Sequence, residues 1–212
     1  MNPTRRELMY AAVAGPALLS APMVQRSASE NLGRITLWPT EESCLARESV
    51  AGYRRALQGL EHAGVIIVPA ISALSGRMAA VLQSKAKAGH NVILESALTF
   101  VDANLAERQC RIMRDAFGLP VELHYPRAEN TASYLQYRWP VEALVRSFGE
   151  PVYLRAGDHH PIAHQLGNRI VAARRSIGRG QITFLGSPLG PLLFAGDREA
   201  TLLIRRMVTE SA

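Results

Sequence analysis

The stretch 65-VIIVPA-70 decides the fold of this 212-residue chain. Four β-branched apolar residues follow one another with no polar residue between them, and Pro69 closes the run. A continuous apolar run of this kind is typical of a strand that is covered on both faces, as in a parallel sheet. The stretch therefore predicts a central strand with helices packed on either side.

Helices and strands alternate around that stretch. Residues 34–38 predict a strand and residues 48–61 predict a helix, because apolar side chains recur at helical spacing. Further on, a helix capped by Ser75, a strand at 91–94 and a helix at 101–117 follow in turn. This order indicates an α/β protein with a doubly wound, mostly parallel, flavodoxin-like sheet.

The last third of the chain has a different pattern. Short apolar runs at 152–154, 162–166, 169–174 and 181–185 are separated by glycine-containing turns. They predict an antiparallel hairpin extension of the sheet near the C-terminus, followed by a helix that Asp197 caps. We expect residues 30–212 to form one domain of this α/β type.

The N-terminal residues have the pattern of an export signal. Residues 4–9, TRRELM, resemble the twin-arginine export signature of bacteria, and a weakly apolar, alanine-rich run follows to residue 24. A small-x-small cleavage site at 27–29 completes the pattern. We therefore expect residues 1–29 to be a twin-arginine signal peptide. The protein would work in the periplasm or outside the cell and would meet a membrane only during export.

Charge and cysteine content narrow the range of partners. The formal charge is +6, but no basic helix, zinc-ligand spacing or aromatic-rich binding strand accompanies it, so we expect no nucleic-acid partner. Arginines cluster at 169–179, on a hairpin that is either a solvated face or a contact surface for a periplasmic complex. Cys44 and Cys110 permit one disulfide or two buried thiols.

Several segments together resemble a known superfamily. Residues 65–70, a helix that ends at 87–90 and the strand 91-NVILES-96 are similar to the class I glutamine amidotransferase-like superfamily. Residues 177–188 resemble the closing hairpin of its non-catalytic relatives, which include trimerisation domains of some bacterial β-galactosidases and exported sugar-associated proteins. The resemblance implies an amidotransferase-like α/β domain with a possible association with carbohydrate.

The same resemblance argues against amidotransferase chemistry. The superfamily's nucleophile is a cysteine on the turn after the strand that corresponds to 91–94, and this chain has Glu95 and Ser96 there. The superfamily's late His-Pro-Glu triplet is matched only by His160-Pro161-Ile162, which lacks the carboxylate. The chain is therefore expected to be a non-catalytic binding or assembly module without a cofactor. Its partner would be an unknown small molecule or protein, and it could form an oligomer.

A periplasmic hydrolase is the alternative. Ser96 or Glu95 lies at the carboxyl end of a central strand, where ligands bind in open α/β sheets, and His159 or His160 could supply a base. We expect Glu95, Ser96 and Ser187 to border one ligand-binding edge. Equally, Ser96 could cap a helix and Glu95 could face a helix dipole.

Two further groups carry alternatives. His160 and His164 would share a strand face with no firm third ligand, so no metal site is predicted. Tyr134, Tyr137 and Trp139 lie close together in sequence. Such aromatic residues can stack on sugars, or they can cover the end of a sheet.

Overall fold

A computed structural model describes residues 30–32, 35–40, 43–60, 64–122, 133–165 and 168–210. The signal peptide predicted at 1–29 lies outside these residues. The strands are β1 (Glu30–Leu32), β2 (Ile35–Leu37), β3 (Val65–Ile71), β4 (Asn91–Ser96), β5 (Val121–Glu122), β6 (Tyr134–Tyr137), β7 (Ala143–Arg146), β8 (Tyr153–Leu154), β9 (His160–Gln165), β10 (Arg169–Ile177) and β11 (Gly180–Leu185). The helices are α1 (Cys44–Ala56), α2 (Gly76–Lys87), α3 (Ala103–Phe117), α4 (Gly190–Phe194) and α5 (Arg198–Glu210).

The sheet is mixed, so the expected doubly wound, mostly parallel, flavodoxin-like sheet is wrong. Its strand order is β1-β2-β3-β4-β11-β10-β9-β6-β7, with β8 paired to β10 and to β5. Only β2–β3, β3–β4 and β4–β11 are parallel, and the other described pairs are antiparallel. Short connections such as those of β6–β7 and β10–β11 cannot make the crossover that parallel strands require.

Two hydrophobic clusters lie on opposite faces of the central strands. One cluster joins Ile67 and Ile93 to α1, α4 and α5, and the other joins Val68 and Leu94 to α2 and α3. Every residue of β3 is buried. The prediction that the 65–68 run is a strand covered on both faces is therefore confirmed. Within the described ranges, no helix combines the length and apolarity that a membrane span needs.

The predicted helix ends are confirmed at several positions. The Ser75 hydroxyl accepts a hydrogen bond from the backbone N–H of Met78 at 3.1 Å and caps α2. Gly118 ends α3 in the left-handed conformation, with φ of 65°. Asp197 accepts a hydrogen bond from the N–H of Ala200 at 2.9 Å at the start of α5. These caps fix the helices against the strands whose ends form the candidate site.

Candidate functional site

Glu95 lies near the carboxyl end of β4 and is completely buried. Its Oε1 accepts hydrogen bonds from the backbone N–H of Gly190 at 2.5 Å and from the Tyr53 hydroxyl at 3.2 Å. Its Oε2 accepts a hydrogen bond from the backbone N–H of Ala70 at 2.8 Å. Both carboxylate oxygens are therefore occupied by donors of the chain itself.

These donors come from three different elements. Tyr53 lies on α1, Gly190 is the first residue of α4, and Ala70 lies near the end of β3. Ala70 adopts φ of 46°, a left-handed conformation that is uncommon for a residue other than glycine. In this conformation the backbone N–H of Ala70 donates its hydrogen bond to Glu95. One carboxylate thus joins β4 to β3, α1 and α4.

Burial controls the ionisation of this group. Burial raises the pKa of Glu95 from 4.5 to about 7, although the hydrogen bonds from Gly190, Ala70 and Tyr53 lower it. The pKa of Tyr53 is also raised well above its ordinary value, first by burial and then by the charge of Glu95. The donors stabilise the ionised carboxylate, but they do not fully replace the water that burial removes.

The helices beside Glu95 approach to backbone contact. A Cβ added to Gly52 of α1 would lie 2.3 Å from the carbonyl oxygen of Gly190, and one added to Gly190 would lie 2.3 Å from the Ser49 side chain. Two glycines are therefore required where α1 and α4 cross. The close contact between α1 and α4 at these glycines excludes solvent from that side of Glu95.

Ser96 is the last residue of β4 and Ser187 follows the neighbouring parallel strand β11 at the same edge, because Leu185 of β11 pairs with Glu95 of β4. Each is 1% exposed. The Ser96 hydroxyl accepts a hydrogen bond from the N–H of Leu98 at 3.4 Å. The Ser187 hydroxyl accepts one from the N–H of Phe148 at 3.0 Å. The structure brings the predicted edge residues together, yet their polar atoms bond to the chain's own backbone.

The histidines lie on a different part of the sheet. His160 pairs with Arg174 of β10, Arg174 with Thr183 of β11, and Thr183 with Ile93 of β4. Three strand spacings separate His160 from Ile93, which is about 14 Å. Ser96 lies three residues further along β4, so no hydrogen bond between Ser96 and His160 can form in this arrangement.

His159 is 9% exposed, and neither of its ring nitrogens has a hydrogen-bond partner among the described residues. Burial lowers its pKa, and the charge of Arg175 lowers it further. The ring lies beside Gly157, on the far side of β10 and β11 from Ser96. Its position does not make it a base for Ser96.

The arginines of the 169–179 hairpin are engaged within the chain. Two stack on aromatic rings and two donate hydrogen bonds to helix-terminal carbonyl groups. The contacts are Arg169 on Tyr153 at 3.4 Å, Arg174 on Trp139 at 3.9 Å, Arg175 to Phe117 O at 2.6 Å and Arg179 to Ala88 O at 3.0 Å. This cluster therefore contributes to packing, and these contacts hold the four side chains against the protein.

Metal and thiol chemistry have little support in the part of the chain that the structure describes. It contains no group of three or more histidine, cysteine, aspartate or glutamate residues placed to hold an ion. Cys44 is exposed at the start of α1, Cys110 is partly buried in α3, and both are free. Burial raises the pKa of Cys110 to about 11, so this thiol is a poor nucleophile near neutral pH.

Sequence reasoning identified Glu95 but missed its partners. Tyr53, Ala70 and Gly190 are 42, 25 and 95 residues away from it in the chain. Only the sheet order brings them together. The isolated glycines at 52 and 190 were the available signal, since a glycine within a helical segment often marks a close approach.

The comparisons with known proteins concern the fold. No family model and no curated protein matches the chain. Solved structures do match, and two glycoside hydrolases are among them. A β-galactosidase from Rahnella sp. R3 has a TM-score of 0.60 at 9% identity, over 86% of this chain and 32% of its own. An exo-β-1,4-mannosidase from Opitutaceae bacterium strain TAV5 has a TM-score of 0.56 at 12% identity, over 76% and 31%.

A third matching structure is close to this chain in length. A cytoplasmic protein from Salmonella typhimurium LT2 has a TM-score of 0.53 at 9% identity, over 81% of this chain and 88% of its own. By contrast, the chain spans about a third of the length of the two enzymes. At these identities the likeness establishes a shared fold, which occurs within glycoside hydrolases and also in a protein matched over most of its length.

Proposed function

We propose that this chain is an exported, carbohydrate-associated binding or assembly module that does not catalyse hydrolysis. The observation that carries the proposal is the enclosure of Glu95. Its carboxylate is fully buried at the end of β4 and bonded to Tyr53, Ala70 and Gly190. A general acid or base must reach the proton that it transfers, and a carboxylate engaged in this way cannot reach a substrate.

The association with carbohydrate is supported by the fold. A β-galactosidase and an exo-β-1,4-mannosidase contain a region of similar fold that makes up about a third of each enzyme. A module of this size would bind such an enzyme, or it would bind the sugar that the enzyme acts on. Function is not inherited with a fold, so this part of the proposal depends on the binding experiments below.

The resemblance to the class I glutamine amidotransferase-like superfamily stays a prediction, as does export through the twin-arginine leader. What favours a non-catalytic member is the residue at the nucleophile position. Glu95 and Ser96 stand there and no cysteine does, and the buried hydroxyl of Ser96 accepts a bond from the N–H of Leu98. No histidine partner for it exists among the described residues.

The hydrolase alternative can be tested directly. Purified full-length protein is incubated with chromogenic β-galactoside, β-mannoside and α-fucoside substrates and with glutamine. We expect no turnover above the buffer rate, for wild type and for the Ser96→Ala and His160→Ala variants alike. Turnover that Ser96→Ala abolishes and the exposed-serine control Ser84→Ala preserves would overturn the proposal.

A further inference from the structure

Strands β6 and β7 have one buried side and one exposed side. On β6, Leu135 and Tyr137 are buried in the core beneath α5, and Tyr134 and Gln136 point the other way. On β7 the same alternation exposes Leu144 and Arg146. Residues directly opposite in an antiparallel pair share a face. Tyr134 pairs with Arg146 and Gln136 with Leu144, so the exposed side chains form one surface.

The surface extends to the next strand, because Gln136 also pairs with His164 of β9. We call Tyr134, Gln136, Arg138, Leu144, Arg146 and His164 the outer face. The core cluster under α2 and α3 includes residues of β3, β4, β11 and β10 but none of β6 or β7. These two helices therefore cover one half of this side of the sheet and leave the outer face exposed.

The outer face offers an aromatic ring and apolar area to solvent. Tyr134 is 47% exposed and Leu144 is 59% exposed. Tyr134 is the one member of the 134–139 aromatic group that is free to stack, because Tyr137 is buried and Trp139 is covered by Arg174. A tyrosine ring with an apolar body and a polar tip is suited to stacking on a sugar ring at a wet surface.

The outer face carries more positive than negative charge. The guanidinium groups of Arg138 and Arg146 make no hydrogen bond or ion pair with any described residue, whereas that of Arg175 on β10 bonds to Phe117 O and lies 3.6 Å from Asp158. Strands β6, β7 and β9 contain no acidic residue, but the exposed Glu142 immediately precedes β7 and, if the β6–β7 register continues, lies opposite Arg138. Arginine matches carboxylate with two parallel hydrogen bonds, so the face is complementary to a carboxylated ligand.

The two arginines lie at opposite ends of the face. Arg146 pairs directly with Tyr134, and Arg138 lies four residues after Tyr134 along the chain. At the usual rise per residue of a strand, Arg138 and Arg146 are about 13 Å apart along the strand direction. Gln136 and Leu144 lie between them, and Tyr134 lies beside Arg146. A ligand that meets both arginines is therefore extended, with two anionic groups that far apart and a ring that reaches Tyr134 beside one of them.

We infer that the outer face binds an acidic polysaccharide. The Tyr134 ring stacks beneath a sugar ring, Arg138 and Arg146 bind carboxylates of two non-adjacent sugars about 13 Å apart, and Gln136 hydrogen-bonds to ring hydroxyl groups. This rests on the proposed association with carbohydrate and names the substrate class and the surface. Single-stranded nucleic acid is also anionic, but it prefers several exposed aromatic rings in series, and this face exposes one.

The experiment measures binding of the full-length protein to immobilised polygalacturonate, neutral galactan and a single-stranded DNA oligonucleotide. We expect polygalacturonate to bind most tightly and with affinity that falls as salt rises. The Arg138→Gln/Arg146→Gln double variant should weaken binding by roughly tenfold or more, and Tyr134→Ala should weaken it as well. Glu142→Gln should strengthen it, because it removes the nearest repulsive charge.

Matched controls separate the possible failures. Arg108→Gln/Arg111→Gln removes two exposed arginines of α3 and should leave binding unchanged. If wild type binds polygalacturonate but the outer-face variants bind as well as wild type, this inference is overturned and the proposed function survives. If wild type binds neither polysaccharide, the proposed association with carbohydrate fails too. Tighter binding of the oligonucleotide would assign the face to nucleic acid and overturn the inference.

Discussion

Glu95 connects four elements through a single carboxylate, and this makes it the residue on which the local structure depends most. A buried carboxylate that lost these donors would incur the full cost of desolvation. Each donor would likewise lose its partner if the carboxylate were removed, because the N–H groups of Ala70 and Gly190 bond to it. The arrangement explains why a charged residue is tolerated at a position that is completely buried.

Replacement of Glu95 by glutamine should destabilise the protein. A carboxamide has one acceptor oxygen and an NH2 group, so a donor would face the N–H of Ala70 or of Gly190. We expect the free energy of unfolding in urea at about pH 5, below the folded pKa of Glu95, to fall by about 3 kcal/mol. Glu107→Gln, on the exposed side of α3, is the control and should change it by less than about 0.5 kcal/mol. A Glu95→Gln variant as stable as this control would contradict the structural role.

The raised pKa of Glu95 also predicts a pH dependence. The folded protein binds this proton with a pKa of about 7, whereas the ordinary value is 4.5. Between these values the folded state binds more protons, so stability falls as pH rises, by up to about 3 kcal/mol, and levels off above the folded pKa. His159 and His164 have lowered pKa values and give the opposite slope below the ordinary histidine pKa.

Comparing two variants isolates the Glu95 contribution. Urea unfolding of wild type and Glu95→Gln is measured from about pH 5 to about pH 8. The histidine contributions cancel in the difference between the two proteins. We expect the advantage of wild type to shrink as pH rises. A difference that stays constant over this range would show that the Glu95 pKa is not raised.

At the residue scale, the sequence identified which residues lie at the carboxyl edge of the sheet but not that they are buried. Glu95 and Ser96 end β4, and Ser187 follows the adjacent strand β11. The burial of Glu95 could not be predicted, because it depends on Tyr53 of α1 and on Gly190 of α4, which only the tertiary fold brings close. The role of Glu95, Ser96 and Ser187 in ligand binding stays a prediction.

Among the elements, the crossing of α1 and α4 depends on the absence of side chains. A Cβ at Gly52 would lie 2.3 Å from the carbonyl oxygen of Gly190 and 2.6 Å from the backbone nitrogen of Phe194. Backbone atoms cannot rotate away as the end of a flexible side chain can. The helices must separate to admit even one methyl group, and Gly190 would then move away from Glu95.

Gly52→Ala should therefore destabilise the protein by about 3 kcal/mol through overpacking. Gly76→Ala is a matched control, because Gly76 opens α2 with no atom within 4 Å of the added Cβ. The control should be neutral or slightly stabilising, since alanine favours a helix more than glycine does. Thermal unfolding of both variants tests the prediction, and equal melting temperatures would contradict it.

The helices were more predictable than the outer strands. Ser75, Gly118 and Asp197 are local signals whose caps the structure contains. The start of α1 was expected at 48 but lies at Cys44, because Ser43 accepts a hydrogen bond from the N–H of Ala46. Strands β6 and β7 have four residues each, too few for a clear alternating pattern, and their aromatic residues obscured it.

For the whole molecule, strand order and direction were the least predictable features. The helical connections before β4 give parallel strands, as the alternating pattern indicated. Beyond β5 the connections are short, so antiparallel pairs dominate and the sheet widens through β9, β6 and β7. This widening creates the outer face. Local sequence patterns do not report which distant strands pair, so neither the strand order nor this surface could be predicted.

The predicted export concerns the chain as a whole. Replacing Arg5 and Arg6 by lysine keeps the charge but removes the paired guanidinium groups of the predicted signal. We expect the double variant to accumulate in the cytoplasm of a twin-arginine-competent bacterium, as measured by fractionation and immunoblotting. The control is Arg26→Lys, close to the predicted cleavage site, which should be exported normally. Periplasmic delivery of the Arg5/Arg6 variant at the wild-type level would contradict the prediction.

The proposed function requires that this domain bind carbohydrate without breaking it. Equilibrium dialysis of the full-length protein with a fluorescently labelled oligogalacturonate tests both parts in one measurement. We predict that the oligosaccharide concentrates in the protein compartment and is recovered at its original length by chromatography. Equal concentrations on the two sides of the membrane, or shortened products that depend on the protein, would contradict the account.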